Sequence, residues 1–212
     1  MTYPSPLSGL YAITDSKLTP SHSIANQVEQ ALQGGARIIQ FRDKSNDQPQ
    51  RLNTALKLRQ LTQQYNALLI INDDVALCQQ SQADGVHLGQ EDTNLAQARA
   101  TLGPNAIIGA TCHGSLALAQ TAMENGATYL AFGRFFASST KPDALPANLD
   151  ELKSFVANCP LPTVAIGGIN LNNAAPLLSA GFSMLAVVGD VFAAPEIRQQ
   201  CEQYQRLFTE TA

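Results

Sequence analysis

A chain of 212 residues, 45% hydrophobic and only 14% charged, can bury a large core, which excludes a disordered chain. Its net charge of −4 argues against a general nucleic-acid surface, and no apolar run approaches the roughly 20 residues of a membrane helix. Met1 to Leu10 has neither a basic start nor an apolar signal core, so a cytoplasmic protein is expected. Cys78, Cys112, Cys159 and Cys201 lie far apart, which fits reduced, partly buried thiols better than a zinc site or a disulfide framework.

Residues 9–14, GLYAIT, read as a first strand, and residues 21–33 carry Ile24, Val28 and Leu32 at helical spacing before Gly34 and Gly35 stop them. Residues 36–41 form the next strand, whose exit carries Arg42, Asp43 and Lys44. Residues 51–65 place Leu52, Ala55, Leu56, Arg59 and Leu61 as one face of an amphipathic helix. The apolar run 68–71 is too short for a buried helix and reads as a strand covered on both faces, with Asn72 and Asp73 at its end. A short helical segment follows, then a strand over 85–88 whose exit carries Gln90, Glu91 and Asp92. Helices are expected over 95–102, 116–124 and 149–156, and strands over 106–110, 129–132 and 163–166. Asn170 can cap a helix running through Leu178. The eighth strand covers 184–188 and leaves through Gly189 and Asp190, before a last helix over 197–208 that Pro195 introduces.

Eight strand and helix pairs with no linker between them close most economically into a single (β/α)₈ barrel over residues 1–212, with a doubly wound open sheet as the alternative fold. Similar helix stops in LQGGA, MENGA and LLSAG fit one repeated βα unit. In a barrel the strand exits share one mouth, where active sites collect. Asp73 and Asp92 then converge as two hard-oxygen carboxylates without a His or Cys cluster, which suits Mg²⁺ held mainly by water and a phosphorylated ligand. The plain alternative is two solvated loop acids.

Around these acids the exits gather Arg42, Lys44, Arg134 and Lys141, a mixture of planar forks and point charges suited to phosphoryl groups. Gly168 and Gly189, at exits seven and eight, leave room for a phosphate on backbone N–H groups, or else serve as tight turns. Two anion sites in one mouth imply a diphosphate on Mg²⁺ at one side and a monophosphate at the other, the arrangement for joining two phosphorylated molecules with loss of pyrophosphate. His87, inside a strand, is expected to pack or hydrogen-bond, His113 to brace its loop and His22 to lie on the surface. No covalent nucleophile stands out.

QFRDK at 40–44, LIINDD at 69–74, GVHLGQED at 85–92, FGRFFASSTKPDA at 132–144, VAIGGIN at 164–170 and LAVVGD at 185–190 together resemble the thiamine phosphate synthase family, from about residue 9 to 192. The resemblance implies a (β/α)₈ enzyme that joins hydroxymethylpyrimidine diphosphate to hydroxyethylthiazole phosphate, or its carboxylated form. The products would be thiamine phosphate and pyrophosphate. By motif, Gln40, Arg42, Lys44 and Asn72 would contact the pyrimidine diphosphate, and Asp73 and Asp92 would bind Mg²⁺. Thr111 stands where the family usually has Ser near the pyrimidine. Ser138 and Thr140 would contact the thiazole phosphate, Lys141 the diphosphate, and Gly168, Val188 and Gly189 would form the backbone cradle of the thiazole phosphate. Arg42, Lys44 and Lys141 would be the catalytic cations of a dissociative reaction that needs no general base.

Asp74 replaces a frequent Arg, Arg134 a frequent Pro, Ala137 and Ser138 a Pro and Thr pair, and Gly189 a Ser. The related thiazole tautomerase resembles this barrel but uses a His where Arg134 stands and lacks much of the diphosphate and metal set. A third reading is a barrel that binds thiamine precursors without turning them over. The partners implied are the two small-molecule substrates, with no nucleic acid or membrane, and a homo-oligomer is allowed for.

Overall fold

The computed structural model describes residues 7–45, 47–137 and 145–210. Eight parallel strands close in sequence order: β1 (Gly9–Ile13), β2 (Ile38–Phe41), β3 (Leu68–Asn72), β4 (Gly85–Leu88), β5 (Ile107–His113), β6 (Tyr129–Phe132), β7 (Thr163–Ile166) and β8 (Met184–Val187), with β8 pairing back onto β1. Between and after them run α1 (Ile24–Gln33), α2 (Gln48–Gln64), α3 (Val75–Ser81), α4 (Leu95–Leu102), α5 (Leu116–Glu124), α6 (Leu149–Asn158), α7 (Ala175–Ser179), α8 (Gly189–Phe192) and α9 (Ile197–Glu210). The fold is a (β/α)₈ barrel. Among the described residues no helix is long and apolar enough to cross a membrane.

Side chains alternate across each strand, so every strand supplies two cores. Tyr11 and Ile13, Ile38, Leu68 and Ile70, Ile107, Tyr129 and Ala131, Val164, and Met184 and Ala186 fill the barrel interior. The intervening residues, such as Leu10, Ile39, Leu69, Ile71, Val86, Ile108, Leu130 and Leu185, pack outward under the helices. This two-sided burial is why the strands read as continuous apolar runs. By the same parity Gln40 follows Ile38, Asn72 follows Ile70, and Thr111 follows Gly109, so the polar ends of these strands project toward the mouth.

The repeated helix stops have one cause: Gly35, Gly126 and Gly181 all take positive φ, at 98°, 84° and 100°, where a Cβ is disfavoured. Asp47 begins α2 by accepting the Gln50 N–H, and Pro49 sits in its first turn. Its inward face is Ala55, Leu58 and Thr62, while Leu56, expected on that face, is exposed. Arg59 was placed on the right side, where it reaches Asp84 at 2.7 Å.

Several boundaries differ from expectation, among them the start of α2 at Gln48 and of β2 at Ile38, and three others differ for plain local reasons. Residues 20–23 form a turn closed by Ser23 N–H on Pro20 C=O, so α1 starts at Ile24. β5 runs on through His113, because Thr111 and His113 still pair with Ala131 and Phe132. Asn170 does not cap α7; its side chain accepts the Asn172 N–H in a separate turn, and α7 begins only at Ala175, with Pro176 in its first turn.

Candidate functional site

The mouth is built from strand exits. At exit three the chain turns left-handed at Asp73, with φ 64°, and the Asp73 N–H donates to His87 C=O at 2.9 Å. That conformation is costly for most residues but tolerated by Asp. It brings the Asp73 carboxyl beside Asp92, whose Oδ2 accepts the Gly89 N–H at 2.7 Å at exit four. The two carboxyl groups are close enough for each to shift the other's protonation. Lys44 Nζ lies 2.9 Å from Asp73 Oδ2.

These contacts separate the two acids electrostatically. Burial raises the Asp73 carboxyl, but the hydrogen bond from Lys44, the contact with Asp92 and the Lys44 charge outweigh it, so the net shift is downward. For Asp92, burial is again the largest influence, and Asp73 adds to it against the Gly89 N–H and Lys44, so the net shift is upward. The pair therefore titrates as a unit with Asp73 the more acidic member.

Arg42 is held by Asp15 at 3.7 Å, and its N–H donates to Thr14 Oγ1 at 2.9 Å. Asp15 was missed by the sequence reading; it is fixed in turn by the Lys17 N–H at 2.9 Å. Asn72 ends β3 in register with His87. Gln40 is buried, and its Nε2 donates to Tyr11 Oη at 2.8 Å. Thr111 Oγ1 lies 3.0 Å from His87 Nε2, while the Gln90 amide caps the Thr111 carbonyl. Asp74 caps α3 through the Leu77 N–H at 2.8 Å and pairs with Arg51 at 3.0 Å, so it serves the scaffold.

On the opposite side, the chain after β6 lies along exit seven: the Phe135 and Phe136 N–H groups donate to Ile166 and Gly167 C=O at 3.1 and 3.0 Å. Gly168 has φ 66°, and a Cβ there would meet the Ala137 carbonyl oxygen at 2.2 Å. Close approach of this segment accounts for the glycine. Val188 precedes the first turn of α8 and Gly189 opens it. Asp190, grouped with the exits in the sequence, turns away to α9, where its Oδ2 accepts from Gln200 Nε2 and Tyr204 Oη, both at 2.7 Å. Ser138, Thr140 and Lys141 lie outside the described residues.

His113 ends β5, and its carbonyl accepts the Gly133 N–H at 3.0 Å, which ties exit five to exit six. All four cysteines are free, and burial pushes the thiols of Cys78, Cys112 and Cys201 up to about 12, which leaves them poor nucleophiles. Among the described residues no group of three or more His, Cys, Asp or Glu gathers as a metal cage.

A closed parallel barrel with paired acids and tethered cations at its strand exits is an enzyme scaffold of the (β/α)₈ class. The family model for thiamine monophosphate synthase matches residues 10–191. A thiamine-phosphate synthase of Marinobacter nauticus is 50% identical over 202 residues, covering 94% of this chain and 90% of the relative. One from Alcanivorax borkumensis is 52% identical over 186 residues, covering 88% and 86%. Among solved structures, a thiamine phosphate pyrophosphorylase from Pyrococcus furiosus superposes with a TM-score of 0.87 at 37% identity, covering 96% of each chain. The chain belongs to the thiamine phosphate synthase family.

Proposed function

We propose that this chain joins hydroxymethylpyrimidine diphosphate to hydroxyethylthiazole phosphate, or its carboxylated form, releasing pyrophosphate and forming thiamine phosphate. Family membership supports the reaction. The observation that carries the placement of substrates is the adjoining pair Asp73 and Asp92 with Lys44 at 2.9 Å. Two carboxylates and no soft ligand fit Mg²⁺, which prefers few protein oxygens and completes its shell with phosphate and water. Bound between Asp73 and Asp92 with the diphosphate, Mg²⁺ would offset the charge that builds on the departing pyrophosphate.

The remaining work falls to the protein's own groups. Arg42 and Lys44 are tethered by Asp15 and Asp73 in partly exposed pairs. Such pairs are worth only about 0 to 1 kcal/mol, so a diphosphate can recruit both cations with little loss. Together with Lys141 they stabilise charge that is greater in the transition state than in the bound substrate. Gln40, Asn72 and Thr111 orient the aminopyrimidine, whose electron-rich ring supports the cation left when pyrophosphate departs. Ser138, Thr140 and the amides around Gly168, Val188 and Gly189 hold the thiazole phosphate. That holds the thiazole nitrogen facing the cation, and this nitrogen carries no proton, so no general base is needed. The chain works as one barrel domain, whose partners are these small molecules, and free thiols fit a cytoplasmic setting.

Incubating the protein with both precursors and Mg²⁺ should give thiamine phosphate and pyrophosphate in equal amounts. Rearrangement of the thiazole alone would point instead to a tautomerase, and tight binding without product to a precursor-binding barrel.

A further inference from the structure

Three interior side chains that the reaction gives no role, Tyr11, Tyr129 and His87, link Gln40 to Thr111 through a chain of polar groups. Gln40 Nε2 donates to Tyr11 Oη at 2.8 Å, and Tyr11 Oη lies 2.8 Å from Tyr129 Oη. Tyr129 Oη lies 2.9 Å from His87 Nδ1, and His87 Nε2 lies 3.0 Å from Thr111 Oγ1. Four consecutive hydrogen bonds thus cross the barrel from β2 to β5, through side chains of β1, β6 and β4.

We propose that this chain is a one-directional relay that places the imidazole proton of His87 on Nε2 and thereby commits the Thr111 hydroxyl as a donor into the mouth. The direction follows from counting protons. Each tyrosine brings one, and burial pushes both phenols well above their ordinary value, so both keep it. Tyr11 already accepts from Gln40. If it also accepted from Tyr129, its own proton would be left unpaired in an interior where Tyr11 is 1% exposed among Ile13, Ile38 and Ile70. Tyr11 therefore donates to Tyr129, and Tyr129 donates to His87 Nδ1. The imidazole proton is then on Nε2, Thr111 Oγ1 accepts it, and the Thr111 proton must point elsewhere.

The interior is shaped for this chain. Gly109 faces Tyr129, and a Cβ there would lie 2.0 Å from Tyr129 Cζ, so a residue without a side chain leaves the phenol room to cross. The His87 and Tyr129 rings stack at 5.6 Å with 21° between their planes, and Tyr11 meets Tyr129 edge-on at 6.0 Å. Tyr11, Tyr129 and His87 are positioning residues. Their effect on the reaction rests on the placement of Gln40 and Thr111 beside the aminopyrimidine, where Thr111 would present a donor to a ring nitrogen.

The test reads the proton directly. Nitrogen-15 NMR of the substrate-free protein, with His87 assigned by loss of its signals in His87→Asn, should show Nε2 protonated and Nδ1 bare. A proton on Nδ1, or on both nitrogens, overturns the relay. In Gln40→Glu at alkaline pH the carboxylate can only accept, so the chain should reverse and the proton should move to Nδ1, three hydrogen bonds from the substitution. An unchanged spectrum there also overturns the relay. Tyr129→Phe keeps the ring but removes the donor to Nδ1. It should give a mixture of tautomers and raise the KM for the pyrimidine diphosphate about tenfold, the scale of one misdirected hydrogen bond, with the thiazole phosphate KM unchanged. If the spectra follow expectation but the thiazole KM moves instead, the relay stands and the substrate placement falls. Should either variant fail to fold, the wild-type spectrum still decides.

Discussion

Replacing Gly189 by Ser, the residue that the resemblance to the family sets at this position, tests where the thiazole phosphate sits. Gly189 is exposed, opens α8, and lies outside the positive-φ region. A Cβ built on it meets nothing within 4 Å. The added side chain therefore causes neither clash nor backbone strain, and replacing glycine in a helix should be neutral or stabilising by a few tenths of a kcal/mol. The hydroxyl would add one hydrogen bond to a dianionic phosphate. Such bonds contribute about 1.5 to 3 kcal/mol, and the open, wet surroundings reduce that toward about 1.4 kcal/mol, or tenfold in affinity. Steady-state kinetics should show the thiazole phosphate KM falling about tenfold, the pyrimidine diphosphate KM unchanged, and no loss in Tm. A stable variant with unchanged thiazole KM and raised pyrimidine KM would mean the two phosphates occupy the opposite ends of the mouth.

Asp73→Asn and Asp92→Asn should each fold with a Tm near wild type and lose roughly 10²-fold in kcat at limiting Mg²⁺, as expected when a preorganised charge contact is removed; wild-type turnover in both would end the metal assignment. Because Asp92 is shifted up and Asp73 down, falling pH should protonate Asp92 first. Apparent Mg²⁺ affinity should then drop as pH falls through the raised Asp92 value while Asp73 is still charged, and Mg²⁺ titrations across pH in wild type and Asp92→Asn should differ by that acid limb. Gly168→Ala forces a Cβ to 2.2 Å from the Ala137 carbonyl at φ 66°. It should lower stability by about 1 to 3 kcal/mol, visible as a Tm loss of several degrees, and raise the thiazole KM more than the pyrimidine KM.

The barrel was legible because a parallel sheet buried on both faces writes its strands as short apolar runs, and the runs at 129–132 and 163–166 coincide with β6 and β7. The helices expected over 95–102 and 116–124 coincide with α4 and α5, which Asn94 and Ser115 cap through the Ala96 and Leu118 N–H groups. Asp73 and Asp92 could be brought together by topology alone, since successive exits adjoin in a barrel. What stayed hidden depended on register and on short elements. Tyr11 and Tyr129 read as core residues in apolar strands, and only the closed barrel shows their hydroxyls meeting across the interior. Gly168 reads in the sequence as a turn with room for a phosphate, and the second need for a glycine there, the approach of Phe136 and Ala137, comes from the distant segment after β6. A four-residue helix such as α8 is too short to leave a periodic signature, so Asp190 was left among the exits rather than against α9.

A diphosphate side at exits two to four, facing a monophosphate side at exits seven and eight, would be visible in a crystal soaked with Mn²⁺, pyrophosphate and thiazole phosphate. Manganese gives an anomalous signal where Mg²⁺ does not. One manganese peak is expected between Asp73 and Asp92 with pyrophosphate on Arg42 and Lys44, and the thiazole phosphate on the Gly168 and Gly189 amides. A manganese peak away from both acids, or the monophosphate seated beside Lys44, would contradict it.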